Sequence, residues 1–225
     1  MFLTNIIQKP VVLAFIFSIA QVAVKAQENA VQPKNYYSSD FEIDGISRVI
    51  SFYIPRGYGK NDTYPVVFVL HGENETGKTV VKRYGDYFER LADSAASIVV
   101  YPDGVNGHWN TKMGKKAAAD TINDAGFINI MIDYFVQQYK GDPGRIFAMG
   151  FGDGGQMVWR LACNSPKRVI AIAPFIASIA DAQKSCALDS IPFFNAEKYV
   201  RQPTGKFGYQ PISDAFNFLL EHAAR

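Results

Sequence analysis

The 225-residue sequence is short of the side chains that metal and redox sites draw on, with only two cysteines, three histidines and two tryptophans. No spacing of histidine, cysteine or acid suits a metal, so neither a metal nor a cofactor is expected. Charge of one sign is also lacking: 23 basic residues face 21 acidic ones. Two of the lysines, Lys9 and Lys25, fall in an N-terminal segment set apart below, and without them the remainder is neutral. A neutral chain has no general attraction for nucleic acid or anionic lipid, so the expected partner is a small molecule. Repeats and low-complexity tracts are absent, and nothing sets an oligomeric state.

No apolar run reaches the roughly 20 residues of a membrane-spanning helix. The longest, Pro10 to Val24, follows Lys9 and ends in Val24-Lys25-Ala26, the pattern of a secretory signal cleaved after Ala26. Residues 1–26 are therefore read as a signal peptide, 27–45 as a mobile N-terminal segment and 46–225 as one domain of a secreted or periplasmic protein. No membrane association is expected after cleavage. In an oxidising compartment Cys163 and Cys186, an even pair flanking a strand, are expected to bridge. Two glycosylation sequons, at Asn61 and Asn74, matter only in a eukaryotic secretory pathway.

Along the domain, Ile46–Ile54 alternates like an edge strand and stops at Pro55. Val66–Leu70 is a continuous apolar run, as in a strand buried on both faces, and ends in His71-Gly72-Glu73-Asn74. Apolar residues from Thr79 to Ala96 recur at helical steps. Ile98–Tyr101 reads as a strand closed by Pro102-Asp103-Gly104, and Asp120–Tyr139 as a helix broken by Asp142-Pro143-Gly144. Val169–Ile176 and Ile191–Phe194 read as further strands, with a last helix N-capped by Ser213. This alternation predicts an α/β domain whose mostly parallel sheet is covered on both faces, with His71, Asp103 and Gly152 at its ligand-binding edge.

The stretch Arg145–Cys163, RIFAMGFGDGGQMVWRLAC, joins an apolar strand to an amphipathic helix through Gly150, Gly152, Gly154 and Gly155. It fits a G-x-S-x-G nucleophile elbow with Gly152 in the serine position. It also fits a G-x-G-x-x-G dinucleotide fingerprint, a remote alternative. That fingerprint opens a first βαβ unit with an acid about 20 residues on, whereas here several strands precede the turn and the next ends Ala173-Pro174-Phe175.

The series Phe52-Tyr53-Ile54-Pro55, Pro65 to Gly72, Tyr101-Pro102-Asp103-Gly104, Trp109-Asn110, Asn123 to Ile128, Gly150 to Gly155, Arg160 to Cys163 and Ala173-Pro174 resembles, in order and spacing, the secreted polyhydroxybutyrate depolymerase and feruloyl esterase family. The resemblance spans about Ile46 to Pro192. It implies an α/β-hydrolase fold and ester cleavage by a Ser-His-Asp triad. It also places the oxyanion loop at His71, Gly72 and Glu73, the second oxyanion N–H at Asp153, and a Cys163–Cys186 disulfide.

Three departures stand against activity. Glycine replaces the serine at position 152, the acid-bearing stretch reads Asn195-Ala196-Glu197-Lys198-Tyr199, and only about 20 residues separate Phe194 from the last helix, where another strand and the histidine are due. The expectation is a catalytically dead esterase scaffold, shortened toward its C-terminal end. His71, His108 and Trp109 line its pocket, and an ester, aromatic acid or glycan is its ligand. The alternative is an active carboxylic ester hydrolase with an unrecognised nucleophile.

Overall fold

A computed structural model describes residues 35–112, 122–165, 167–177, 191–196 and 209–222. The signal peptide, Cys186 and Glu197 to Tyr199 lie outside them. The element order is β1 (Tyr36–Ile43), β2 (Ile46–Tyr53), β3 (Tyr64–Leu70), α1 (Gly77–Tyr84), α2 (Tyr87–Ser94), β4 (Ile98–Pro102), α3 (Asp124–Gln138), β5 (Gly141–Phe151), α4 (Asp153–Asn164), β6 (Ala171–Phe175) and α5 (Tyr209–Glu221).

The strands form one sheet in the order β1-β2-β4-β3-β5-β6. The β1, β2 and β4 contacts are antiparallel, whereas β4, β3, β5 and β6 run parallel to their neighbours. Every residue of β3 is buried, which explains its unbroken apolar run. Val66, Phe68 and Leu70 face one layer with the core residues of α3 and α4. Val67 and Val69 face the other, with those of α1, α2 and α5.

Several boundaries differ from the sequence reading for identifiable reasons. The strand at Ile46 is not an edge, because β1 pairs outside it along its whole length, from Tyr36 opposite Tyr53 to Ile43 opposite Ile46. The domain therefore begins within the stretch read as mobile. The helix expected over Thr79–Ala96 is two helices, because Gly85 turns the chain at φ +57°.

Asn123 caps α3 by accepting a hydrogen bond from the Gly126 N–H, so that helix starts later than Asp120, and Ile130 on it is exposed. Asp142-Pro143-Gly144 sits where the β3–β5 register shifts, a bulge at the head of β5 rather than a break before it. The Ile191–Phe194 strand is a single parallel bridge, with Ile172 opposite Phe193. Ser213 does not cap α5: it lies inside the helix and donates to the Gln210 carbonyl.

Candidate active-site elbow

The carboxyl ends of β3, β4, β5 and β6 come out on one edge of the sheet, where parallel α/β sheets bind ligands. There β5 turns into α4 through Gly152, at φ +54° and ψ −113°. Two backbone hydrogen bonds hold the turn: Gly152 N–H donates to the Phe175 carbonyl (2.8 Å) and Gln156 N–H to the Gly152 carbonyl (3.0 Å).

The four glycines of the turn have two different reasons to be glycine. A Cβ on Gly150 would lie 2.3 Å from the Gly154 carbonyl oxygen, and one on Gly154 2.3 Å from that of His71. On Gly155 it would lie 2.7 Å from the Phe175 carbonyl oxygen. These three let α4 pack against the strand ends. A Cβ on Gly152 would meet nothing within 4 Å. The central position has room for a side chain, and only its positive φ favours glycine.

The oxyanion loop and its surroundings are tied down by local hydrogen bonds. His71 is fully buried, its Nε2 accepting from the Gly104 N–H (2.8 Å) while Nδ1 lies 2.7 Å from the Gly72 carbonyl. The acceptor role of Nε2 places the proton on Nδ1, so the ring is neutral and both nitrogens are used. Burial lowers the His71 pKa, against smaller opposing effects of the Gly72 hydrogen bond and of Asp103, Asp153 and Asp124. His71 thus pins two loops together and has no lone pair for general-base work.

Trp109 donates its indole N–H to the His71 carbonyl (3.0 Å) and its backbone N–H to Asp153 Oδ2 (2.9 Å). It is buried, with its ring against that of His71. Neither His71 nor Trp109 offers an open pocket wall, a correction to the sequence reading. That reading counted hydrogen-bonding and aromatic side chains at a strand end as ligand contacts, whereas here their polar atoms are consumed in joining β3, the β4–α3 loop and α4.

The remaining candidates sit as follows. The Gly72 N–H donates to Glu75 Oε2 (3.1 Å), and Glu75 is ion-paired with Arg83, so this amide is already satisfied. Glu73 and His108 are exposed and approach each other at 4.0 Å. Asp153 opens α4, where backbone N–H groups lack intrahelical partners. At the end of β4, Asp103 accepts from the Gly77 N–H (2.6 Å), and burial raises its pKa. His222, at the end of α5, has Nδ1 2.8 Å from the Phe218 carbonyl. Among the described residues there is no free cysteine and no group of three or more His, Cys, Asp or Glu placed for a metal ion. No helix there is long and apolar enough to cross a membrane.

Sequence reasoning missed the buried network behind the elbow. Arg48 on β2 pairs with Asp124 on α3 at 2.6 Å, both essentially inaccessible, and its guanidinium lies over the Phe127 ring. The second carboxylate oxygen of Asp124 accepts from the Asn110 N–H (2.6 Å), and the Asn110 carbonyl accepts from Arg160 of α4. Together these bonds hold the loop carrying Trp109 against α4. Asn110, Asp124 and Arg160 all belong to the motifs that carry the family resemblance, but a pair 76 positions apart such as Arg48 and Asp124 leaves no local pattern.

This sheet, with helices on both faces and a strand-turn-helix elbow at its carboxyl edge, is the α/β-hydrolase fold. Among solved structures, the chain resembles a thermostable esterase with a TM-score of 0.56 at 17% identity, over 84% of this chain and 52% of that one. It also resembles a fluorophosphonate-binding serine hydrolase of Staphylococcus aureus with a TM-score of 0.52 at 16% identity, over 83% of this chain and 72% of that one.

No family model matches. The sequence is nonetheless similar to feruloyl esterase D of Neurospora crassa, 28% identical over 142 residues covering 58% of this chain and 46% of that protein. It is 30% identical over 126 residues to a probable feruloyl esterase C of Aspergillus niger, covering 53% of this chain and 43% of that one. To a poly(3-hydroxybutyrate) depolymerase of Ralstonia pickettii it is 26% identical over 115 residues, covering 47% and 24%. The chain spans less than half the length of each of these relatives. The chain has the α/β-hydrolase fold, and its sequence is similar to feruloyl esterases and a poly(3-hydroxybutyrate) depolymerase.

Proposed function

We propose that this chain keeps the ligand-binding end of an esterase and has lost the chemistry. It binds a small ester, aromatic acid or glycan near the elbow and does not hydrolyse it. The observation that carries this reading is Gly152: the elbow is formed and held by the Phe175 carbonyl, but its centre has no side chain to attack a carbonyl carbon. The nearby carboxylates are poor substitutes. Asp153 is engaged by the Trp109 N–H and Glu75 by the Gly72 N–H, while a charged Glu73 in the oxyanion loop repels a developing oxyanion.

His71 is not placed to act as a general base, since it is buried and uses both ring nitrogens in loop contacts. Residues 1–26 direct the chain for export, and Cys163 bridges Cys186 in the oxidising compartment. Incubation with a serine-directed fluorophosphonate, beside an active serine hydrolase as control, tests the lack of a nucleophile. The expected result is no adduct on this chain. A stoichiometric adduct mapped to any residue would establish the active-hydrolase alternative.

A further inference from the structure

The two edges of the sheet are finished differently. On the outer side of β6 the Ile172 N–H donates to the Pro192 carbonyl (3.0 Å), the Phe194 N–H donates to the Ile172 carbonyl (2.9 Å), and Pro174 has no N–H to offer. The opposite edge is β1, and among the described residues nothing pairs with its outer side.

The register of β1 against β2 identifies its free groups. The Ile54 N–H donates to the Asn35 carbonyl, so these two residues face each other as a hydrogen-bonded pair. Such pairs alternate in an antiparallel ladder, so Tyr37, Ser39, Phe41 and Ile43 turn their backbone groups toward β2. Tyr36, Ser38, Asp40 and Glu42 therefore turn theirs outward. The ladder runs from Tyr36 to Ile43 without a bulge, and the strand, YYSSDFEI, holds no proline, lysine or arginine. Natural edges are blunted by these devices, and one without them is a template for another strand. The only charges on it are the exposed Asp40 and Glu42.

A second copy of the same strand meets three conditions at once. A two-fold axis perpendicular to the sheet sets β1 antiparallel to itself, each face continuous with its like, so even-numbered residues stand opposite even-numbered ones. The outward N–H and C=O groups of the two copies are then in phase. Centring the pair on Asp40 would set that carboxylate against its own copy, which is unfavourable, and centring it on Ser38 would shorten the ladder. Centring it on Ser39 sets Ser38 opposite Asp40 of the second copy, Tyr36 opposite its Glu42 and the exposed Tyr37 opposite its Phe41, with no two acids face to face. We propose that β1 is an interaction surface for a second copy of this chain, paired antiparallel in the register centred on Ser39, so that the two sheets become one. Neither the elbow nor its chemistry takes part, so this goes beyond the reading above and does not depend on it.

The test is sedimentation velocity of the purified full chain over a concentration series reaching the millimolar range, with circular dichroism confirming that each variant is folded. The expected result is a reversible monomer–dimer equilibrium. Ser38→Lys and Ser38→Glu lose the same hydrogen bond to the Ile50 carbonyl and differ in the charge set opposite Asp40. Two symmetry-related pairs change per dimer, so the lysine variant is expected to dimerise about 20-fold more tightly than the glutamate variant. Asp40→Pro removes an outward N–H without costing a bond to β2 and is expected to abolish the dimer. Ser39→Cys lies on the axis as a non-hydrogen-bonded pair, where Cα atoms stand about 4.5 Å apart, within the reach of a disulfide. Air oxidation is expected to link two chains at position 39, as mass spectrometry of a non-reduced digest would show.

A chain that stays monomeric throughout the series would overturn the proposal. So would a dimer that responds equally to the two Ser38 variants or survives Asp40→Pro, because it would form elsewhere on the surface. A folded Ser39→Cys chain that dimerises without forming the link would overturn the register. Assembly that grows past the dimer would contradict the two-fold pairing, which closes on itself.

Discussion

Alanine substitution at Gly152 and at Gly154 separates the two reasons for glycine in the elbow. At Gly154 the new methyl group lies 2.3 Å from the His71 carbonyl oxygen and 2.5 Å from that of Leu70, about 1 Å inside ordinary contact. Both obstacles are backbone, so relief requires α4 to move off β3. Overpacking that side chains can absorb costs about 1–3 kcal/mol, and here the loss should reach about 3 kcal/mol or more. At Gly152 the methyl group meets open space, and the cost is the positive φ alone, about 1–3 kcal/mol, reduced by about 0.4–1 kcal/mol because alanine stiffens the unfolded chain.

In thermal unfolding of a chain this size, those figures correspond to a midpoint about 6–12 °C lower for Gly154→Ala and about 0–10 °C lower for Gly152→Ala. Urea unfolding followed by circular dichroism gives the free energies. A Gly154→Ala loss within about 0.5 kcal/mol of zero, or a Gly152→Ala loss larger than that of Gly154→Ala, would refute the packing argument.

Other outcomes follow from the same structure. Asp124→Ala strands the buried Arg48 guanidinium and should cost about 3–5 kcal/mol, whereas replacing both partners by apolar residues should cost less, as a double-mutant cycle in urea would measure. Because the folded pKa of His71 is depressed by burial, the unfolded chain takes up its proton first as pH falls. His71 should therefore lower stability below about pH 6.5, and His71→Gln should flatten that part of the profile when unfolding is compared at pH 5 and pH 8. If Cys163 and Cys186 are bridged, mass spectrometry of a non-reduced digest shows their peptides linked, and reduction lowers stability by about 3 kcal/mol. Two unlinked thiols would contradict the proposed disulfide.

The sequence made the middle of the fold legible and left its edges and long-range ties obscure. Val66–Leu70 reads as a buried parallel strand because nothing polar can sit on either face. The elbow reads because Gly150, Gly154 and Gly155 stand where a Cβ would strike backbone. By contrast, β1 escapes notice because only Tyr36, Phe41 and Ile43 of its eight residues are buried, and its pairing with β2 comes from a partner rather than from its own pattern. The break at Gly85 hides inside a helical periodicity that continues on both sides of it.

At the site, residue type misled more than position did. His71, Trp109 and Asp153 come together as their places in the chain suggest, but hydrogen bonds to one another and to loop amides occupy their polar groups.

The most direct measurement is hydrolysis of p-nitrophenyl acetate and methyl ferulate by the purified chain, beside a Gly152→Ser variant placed in the open space at the elbow. The account predicts a parent rate equal to the blank. Gain of turnover in the variant would show that the elbow amides and a histidine can still support attack, leaving the missing side chain as the cause of inactivity, and an inert, folded variant would show that the triad is lost as a whole. Turnover by the parent, rising in proportion to protein and above the blank, would contradict the account at its centre.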